Sequence, residues 1–214
     1  GVRGITVHPR PDERHITRKD AHDLAALLKE HAGVEYNIEG YPSDDFMALI
    51  EKLRPAQCTL VPDEPGQLTS DHGWDVIKHK EQLETVVAQL RSWGVRSSLF
   101  LDPDPQQIAA VKEVGADRIE LYTEEYARTY ASGDVEKIAE VLGQYKATAD
   151  AAAAAGIGVN AGHDLNLKNL GAFLSIGNIK EVSIGHALIV ESLEMGIDDV
   201  LALYLAITGE RDGF

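Results

Sequence analysis

The amino-acid sequence predicts an α/β protein of the TIM (β/α)8-barrel class, and three observations lead to this prediction. Short apolar runs alternate with longer amphipathic segments seven times along the 214-residue chain, which is typical of folds with parallel strands. The helical segments end at a recurring glycine followed by an apolar residue, as at Gly94, Gly115 and Gly156, and glycine suits a helix terminus that needs a positive φ. No glycine-rich phosphate turn follows the first strand, unlike in a doubly wound dinucleotide-binding sheet.

Four strand–helix units are predicted in the first half of the chain. Apolar runs predict strands at residues 4–8, 36–39, 58–61 and 97–101. Apolar residues with helical spacing predict helices around residues 24–28, 45–53, 83–90 and 105–111. Thr17 and Asp20 are predicted to form a capping box at the first helix. Asp104, followed by a proline, is predicted to begin the fourth.

Three more units follow in the second half. Strands are predicted at residues 118–122, 158–161 and 181–184. Helices are predicted at residues 134–155 and 167–174, and a final helix reaching Ile207 follows an apolar segment at 187–195. The letters of residues 156–161 match a dinucleotide-binding fingerprint, but that motif must follow a strand and open a helix. Here it leaves a helix and enters a strand, so we expect no dinucleotide site.

The start of the chain bears on the completeness of the barrel. It opens with GVRGI, the same helix-end glycine and strand start that precede later units. We therefore expect a preceding strand–helix unit in the natural protein, which would bring the total to the eight units of a closed barrel. Residues 1–214 would then be a single domain that holds units two to eight. The alternative is an open doubly wound sheet that is complete as given.

The charge balance limits the partners of the protein. Lys and Arg number 20 against 35 Asp and Glu, a formal net charge of −15, which repels phosphate backbones and anionic lipids. The single cysteine, Cys58, is expected in the core and fits a reducing compartment. No apolar run reaches the ~20 residues of a spanning helix. We expect a cytoplasmic protein that binds small molecules rather than nucleic acid or membrane, with local donors holding any anionic ligand.

Polar residues cluster where the predicted strands end, which is where a barrel carries its active site. After the first strand, His8, Arg10 and His15 form a cationic cluster, and the arginine fork suits a phosphate group. Glu39 ends the second strand, where a partly buried carboxylate can serve as a general base. The structural alternatives are that His8 only caps its strand and that Glu39 only forms a salt bridge.

The last two strands end in a second polar group. A glycine precedes His163 and lets the backbone approach a ligand, and a histidine can titrate near neutral pH. Gly185 and His186 precede a helical segment, where barrels bind phosphate through helix N–H groups. His186 could instead cap that helix. Glu120 and His72 are further candidates at this end of the barrel, without an assigned role.

Five sequence motifs, in this order, resemble those of the pyridoxine 5′-phosphate synthase family. They are GITVHPRPDERHI (residues 4–16), NIEGYP (37–42), TLVPD (59–63), NAGH (160–163) and IGHA (184–187). Each motif is moderately specific, and the five together, at the family's spacing, are very specific. The resemblance covers essentially the whole chain.

The resemblance implies a barrel enzyme of de novo vitamin B6 synthesis, a homo-octamer, that needs no metal or organic cofactor. Such enzymes condense 1-deoxy-D-xylulose 5-phosphate with 3-amino-2-oxopropyl phosphate, releasing pyridoxine 5′-phosphate, phosphate and water. By resemblance, His8 and Glu39 are proton acceptors and His163 is the proton donor. The positions matched to substrate binding are Arg10, His15 and Thr69 for the deoxyxylulose phosphate, and Asp164, Gly185 and His186 for the aminoketone phosphate.

The sequence departs from the family's pattern in two ways. Asp164 stands where many members have glycine, and Tyr122 and Glu124 stand where His and Gly are frequent. The ligands that the family takes from its first strand are not found in this sequence. The alternative function is therefore a non-catalytic, phosphate-ligand-binding barrel fragment that lacks the first strand. A relative of indole-glycerol-phosphate synthase is a weaker alternative, because its catalytic lysine pattern is absent.

Overall fold

A computed structural model describes residues 2–63 and 70–209. Seven strands alternate with helices along this part of the chain and follow one another through one sheet in chain order. This sequential order is that of a TIM barrel. A doubly wound sheet would instead reverse its strand order at a switch point. The predicted α/β TIM-barrel class is confirmed, and the doubly wound alternative is wrong.

Residues Val2–Asp102 and Ala109–Ile119 form one compact unit, here called the N-terminal unit. Its paired strands are parallel, with Val7 opposite Ile38 and Glu39 opposite Thr59. Those strands are β1 Gly4–Val7, β2 Glu35–Gly40, β3 Gln57–Leu60 and β4 Arg96–Leu101. The helices are α1 Arg18–Leu28, α2 Asp44–Leu53, α3 Lys80–Ser92 and, apart from its first residue, α4 Ile108–Val114.

Local signals fix the ends of these helices as predicted. Thr17 accepts a hydrogen bond from the Asp20 N–H while the Asp20 carboxylate caps the Thr17 N–H, so the capping box is confirmed. The Asp104 side chain accepts from the Gln106 N–H, although the turn it begins is a short 3₁₀ turn, Pro105–Gln107, that leads into α4. The apolar faces of the elements meet in a core that includes Ile38, Ile50, Leu60, Leu83 and Leu99, all fully buried.

Residues Pro103–Ile108 and those from Glu120 onward form the second compact unit, here called the C-terminal unit. The strand β5 Arg118–Tyr122 begins in the N-terminal unit and ends in this one. The remaining strands, β6 Gly158–Gly162 and β7 Ile179–Ser183, pair in parallel. The helices are α5 Glu124–Ser132, α6 Val135–Ala155, α7 Leu170–Leu174, α8 His186–Met195 and α9 Ile197–Thr208. No helix of the described residues is long and apolar enough to cross a membrane.

An aromatic cluster forms the centre of the C-terminal unit. Tyr126, Tyr145 and Phe173 are fully buried, with ring centroids 5.2–6.3 Å apart. Both hydroxyls are satisfied: Tyr126 donates to the Asn169 carbonyl at 2.7 Å and Tyr145 to the Tyr122 carbonyl at 2.6 Å. Buried hydroxyls need such partners. The cluster therefore ties the end of β5 and the turn before α7 to the core.

Two element predictions need correction. The sequence placed no helix between β5 and residue 134, yet α5 lies there and ends at Gly133, which has φ 73°. Only Tyr126 of α5 is buried, but Tyr126 and Tyr130 have the spacing of neighbours on one helix face, a signal that the prediction did not use. In addition, α7 begins after residue 167, because Asn166 and Asn169 form a side-chain-bonded turn first. The glycines predicted at helix ends are confirmed, with φ of 73°, 80° and 79° at Gly94, Gly115 and Gly156.

Gly73 and Gly143 give opposite predictions for the same substitution. A Cβ on Gly73 would clash with the backbone of Leu101 and Asp102, whereas one on Gly143, inside α6, meets nothing within 4 Å. We expect Gly73→Ala to lower the free energy of unfolding by about 2 kcal/mol. Gly143→Ala should raise it by about 0.5–1 kcal/mol, because alanine has less backbone entropy to lose in a helix. Urea denaturation measures both; equal effects would contradict the packing described.

Candidate active site

A buried ion pair lies just beyond the ends of β1 and β3. Arg10 Nη2 is 3.0 Å from Asp63 Oδ2, and the two side chains are only 6% and 3% exposed. Ser70 Oγ donates to the same carboxylate oxygen at 2.6 Å. A buried charge requires a partner of this kind. Arg10, predicted as a phosphate ligand, is thus held by a carboxylate that the sequence analysis did not identify as part of the site.

His8, the last residue of the predicted first strand, lies next to this pair and is partly buried. Burial and the positive charge of Arg10 lower the pKa of His8 to about 4, while the negative charge of Asp63 acts in the opposite direction. Burial and the charges of Arg10 and Arg14 also lower the pKa of His15, which is more exposed. His8 is therefore neutral at pH 7 and able to accept a proton.

Glu39 is the penultimate residue of β2 in the same unit, opposite Thr59 of β3. Its side chain is partly buried. Burial, with the nearby charge of Glu39, raises the pKa of the Cys58 thiol. Cys58 is fully buried, so its predicted place in the core is confirmed. Glu39 thus lies near the end of β2, and His8 and Arg10 lie just after the end of the neighbouring strand β1.

His163 and Asp164 follow β6 with an unusual backbone. Their backbone φ angles are 91° and 58°, and residues other than glycine rarely adopt positive φ angles of this kind. The Thr123 hydroxyl holds this turn by donating to the Gly162 carbonyl at 2.8 Å and to the His163 carbonyl. The edge of the Tyr122 ring contacts the His163 ring, with centroids 4.9 Å apart. Strain of this kind concentrates at functional sites.

The Nδ1 atom of the His163 imidazole is buried and makes no hydrogen bond with the described residues. Its Nδ1 is 3.1 Å from Asp164 Oδ2, yet the atoms are not aligned for a hydrogen bond, and Nδ1 has no other partner among the described residues. Just before it, a Cβ on Gly162 would overlap the present position of Glu120 Oε1, at the end of a side chain whose residue is 3% exposed. Gly162 thus allows a buried carboxylate to approach the turn closely.

A cavity of about 280 Å³ opens beside this turn, within the C-terminal unit. Of the predicted residues, Asp164 and His186 line it, and Gly185 directly precedes His186 at the start of α8. The cavity is lined by Glu124, Ala127, Arg128, Asp164, Asn166, His186 and Ala187. Arg128 was missed because it lies on the unpredicted helix α5.

Thr69 lies outside the described residues. No group of three or more His, Cys, Asp or Glu able to hold a metal occurs among residues 2–63 and 70–209.

The fold and these residues define the class: an α/β TIM-barrel enzyme with acid–base groups at the ends of its strands. The sequence model of the family described as "Pyridoxal phosphate biosynthesis protein PdxJ" matches residues 1–210. The chain belongs to this family.

Curated relatives agree with this assignment. The chain is 50% identical to "Pyridoxine 5′-phosphate synthase" of Allorhizobium ampelinum, over 98% of the chain and 85% of the relative. It is 48% identical to the protein of the same name from Porphyromonas gingivalis, over 95% and 83%. A solved 3-hexulose-6-phosphate synthase has a TM-score of 0.64 at 11% identity, covering 96% of this chain and 87% of that one. That likeness concerns the fold alone.

The lowered pKa of His8 predicts how stability depends on pH. Between pH 6.5 and about 4, the unfolded chain binds a proton at His8 that the folded protein does not. The free energy of unfolding should therefore fall as the pH is lowered through this window, by up to about 3 kcal/mol from this group. Urea denaturation at several pH values should show a flatter profile for His8→Asn. Parallel profiles for the two proteins would contradict the assignment.

The buried ion pair predicts a large effect of removing one partner. Asp63→Ala leaves the Arg10 guanidinium buried without this carboxylate, which should cost about 3–5 kcal/mol of unfolding free energy. The matched control is Asp12→Ala, which breaks an exposed pair with Arg14 and should cost less than about 1 kcal/mol. Similar losses in urea denaturation would show that the Arg10–Asp63 pair does not carry the stability assigned to it.

Proposed function

We propose that the protein is a pyridoxine 5′-phosphate synthase that joins 1-deoxy-D-xylulose 5-phosphate to 3-amino-2-oxopropyl phosphate. The products are pyridoxine 5′-phosphate, inorganic phosphate and water. The observation that carries this proposal is the identity of about half of all residues, over nearly the whole chain, with relatives of that name. It is supported by the presence of titratable groups at the ends of strands in both units.

The chemistry requires several proton transfers. The amino group of one substrate must form an imine with a carbonyl of the other, after which phosphate is lost and ring closure needs dehydration. More than one acid–base group is needed, because protons are both removed and delivered. We assign proton acceptance to His8 and Glu39 and proton donation to His163. The neutral state of His8 at pH 7 supports its role as an acceptor.

Two phosphorylated substrates require two anion sites in a protein of net charge −15. We assign the deoxyxylulose phosphate to Arg10, His15 and Thr69. The buried Asp63 supports this assignment, because it fixes the position of the Arg10 guanidinium. We assign the aminoketone phosphate to Asp164, Gly185 and His186. The cavity beside the start of α8 supports that assignment, since it offers space at a helix N-terminus.

The proposal includes the assembly and location that the family resemblance implies. We propose a homo-octamer in the cytoplasm that acts on small phosphorylated substrates. The single cysteine, free and buried, suits a compartment in which disulfides are rare.

The test is to incubate the protein with both substrates and follow pyridoxine 5′-phosphate and phosphate release. Glu39→Gln and His163→Asn should each lower kcat by about 10²-fold or more, the usual contribution of a general acid or base. Glu113→Gln, which changes an exposed carboxylate paired with Lys80, should leave kcat unchanged. Full activity of Glu39→Gln would contradict the assigned mechanism. A protein that binds phosphate ligands but makes no product would support the non-catalytic alternative.

A further inference from the structure

The cavity of the C-terminal unit carries side chains of both charge signs. Glu124 and Asp164 contribute carboxylates, Arg128 a guanidinium and His186 an imidazole. We call it the mixed-charge cavity. Of these four lining residues, Asp164 and His186 were predicted from the sequence as ligand-binding residues. Glu124 and Arg128 were not predicted, and the structure adds them to the lining.

Glu124 and Arg128 lie one turn apart on α5 and do not neutralise each other. Pairs of opposite charge with this spacing do form ion pairs on other helices, as between Lys19 and Asp23. Within residues 2–63 and 70–209, by contrast, neither Glu124 nor Arg128 forms an ion pair. Both side chains therefore keep their charged groups available to a ligand in the cavity.

Asp164 is presented to the cavity by a fixed backbone. Its φ of 58° is left-handed, a conformation that Asp tolerates better than most residues. Asn169, only 1% exposed, donates to the Asp164 carbonyl at 3.1 Å and holds the turn. The Asp164 carboxylate remains 45% exposed. It is therefore accessible to a ligand while its main chain is anchored.

We propose that the mixed-charge cavity recognises a small zwitterion, with Arg128 and His186 binding its phosphate and Asp164 and Glu124 binding its ammonium group. The arginine fork matches phosphate oxygens, and the two carboxylates complement a positive charge at the other end of a short ligand. This inference rests on the proposed function, since the aminoketone phosphate has both groups. It adds Arg128 as a phosphate ligand and makes the two carboxylates determinants of specificity.

The two carboxylates determine whether the cavity distinguishes an amine from a hydroxyl. Asp164 and Glu124 both line the same cavity. Selectivity for an amine over a hydroxyl of the same size therefore depends on these two carboxylates. A hydroxyl analogue would keep the contacts to its phosphate but would lose the attraction of the carboxylates.

The experiment measures binding by calorimetry, without catalysis. The two probes are 3-amino-2-oxopropyl phosphate and dihydroxyacetone phosphate, in which a hydroxyl replaces the amine. Asp164→Asn and Glu124→Gln should each weaken binding of the amine about tenfold, the low end for a hydrogen bond to a charged group, and leave the hydroxyl analogue unaffected. Arg128→Met should weaken both probes by a similar factor. Glu136→Gln, an exposed carboxylate on α6, is the control that changes neither affinity.

Asp164→Gly is a second variant that suits the left-handed backbone and so keeps the turn folded; it should lose amine selectivity as Asp164→Asn does. Equal losses for both probes in the carboxylate variants, or unchanged phosphate affinity in Arg128→Met, would overturn this inference. Selective binding by a protein that forms no pyridoxine 5′-phosphate would support the inference and contradict the proposed function. A wild-type protein that binds neither probe would contradict both.

Discussion

The buried ion pair between Arg10 and Asp63 is the interaction on which the polar strand ends of the N-terminal unit depend. Two charges removed from water are stable only when each satisfies the other, so the carboxylate fixes the guanidinium close to the end of β1. Burial, followed by the positive charge of Arg10, lowers the pKa of His8 and keeps it neutral, while the charge of Asp63 acts in the opposite direction. The contact between Arg10 and Asp63 thus fixes the position of a guanidinium that also influences the neighbouring imidazole.

The turn after β6 in the C-terminal unit depends on hydrogen bonds to main-chain carbonyls. Tyr145 fixes the end of β5 through the Tyr122 carbonyl. Thr123, the next residue, holds the turn at Gly162 and His163. These bonds, made by buried side chains, stabilise a backbone conformation that costs about 1–3 kcal/mol per strained residue. The aromatic core and the strained turn are therefore parts of one arrangement that orients His163 and Asp164.

The sequence was sufficient for the seven strands and for every described helix except α5, because periodicity, caps and glycines are local signals. The capping box at Thr17 and the helix-end glycines illustrate this. The rule that strand ends carry catalytic groups led to His8, Glu39 and His163 as candidates, and their catalytic roles stay predictions. Membership of the PdxJ family was likewise readable from the five motifs, and the match over residues 1–210 confirms it.

What the sequence could not reveal depends on contacts between distant residues. Arg10 and Asp63 are 53 positions apart, and nothing local indicates that they pair. Asp63 does directly follow the third strand and its proline, so the strand-end rule applied evenly would have found it. Arg128 lies on α5, a helix that the spacing of Tyr126 and Tyr130 does indicate. The cavity that Arg128 shares with Asp164 and His186 depends on residues far apart in the chain, and no local pattern shows it.

The protonation of His8 depends directly on its burial and on the position of Arg10, and it can be measured. NMR titration of the protein labelled with ¹⁵N-histidine reports each imidazole, and the His8 signal is assigned by its absence in His8→Asn. The account predicts that His8 stays neutral from neutral pH down to about pH 5.5 and titrates with a pKa of about 4. A midpoint near the ordinary histidine value of about 6.5 would show that burial and Arg10 do not control this residue, and would contradict the account.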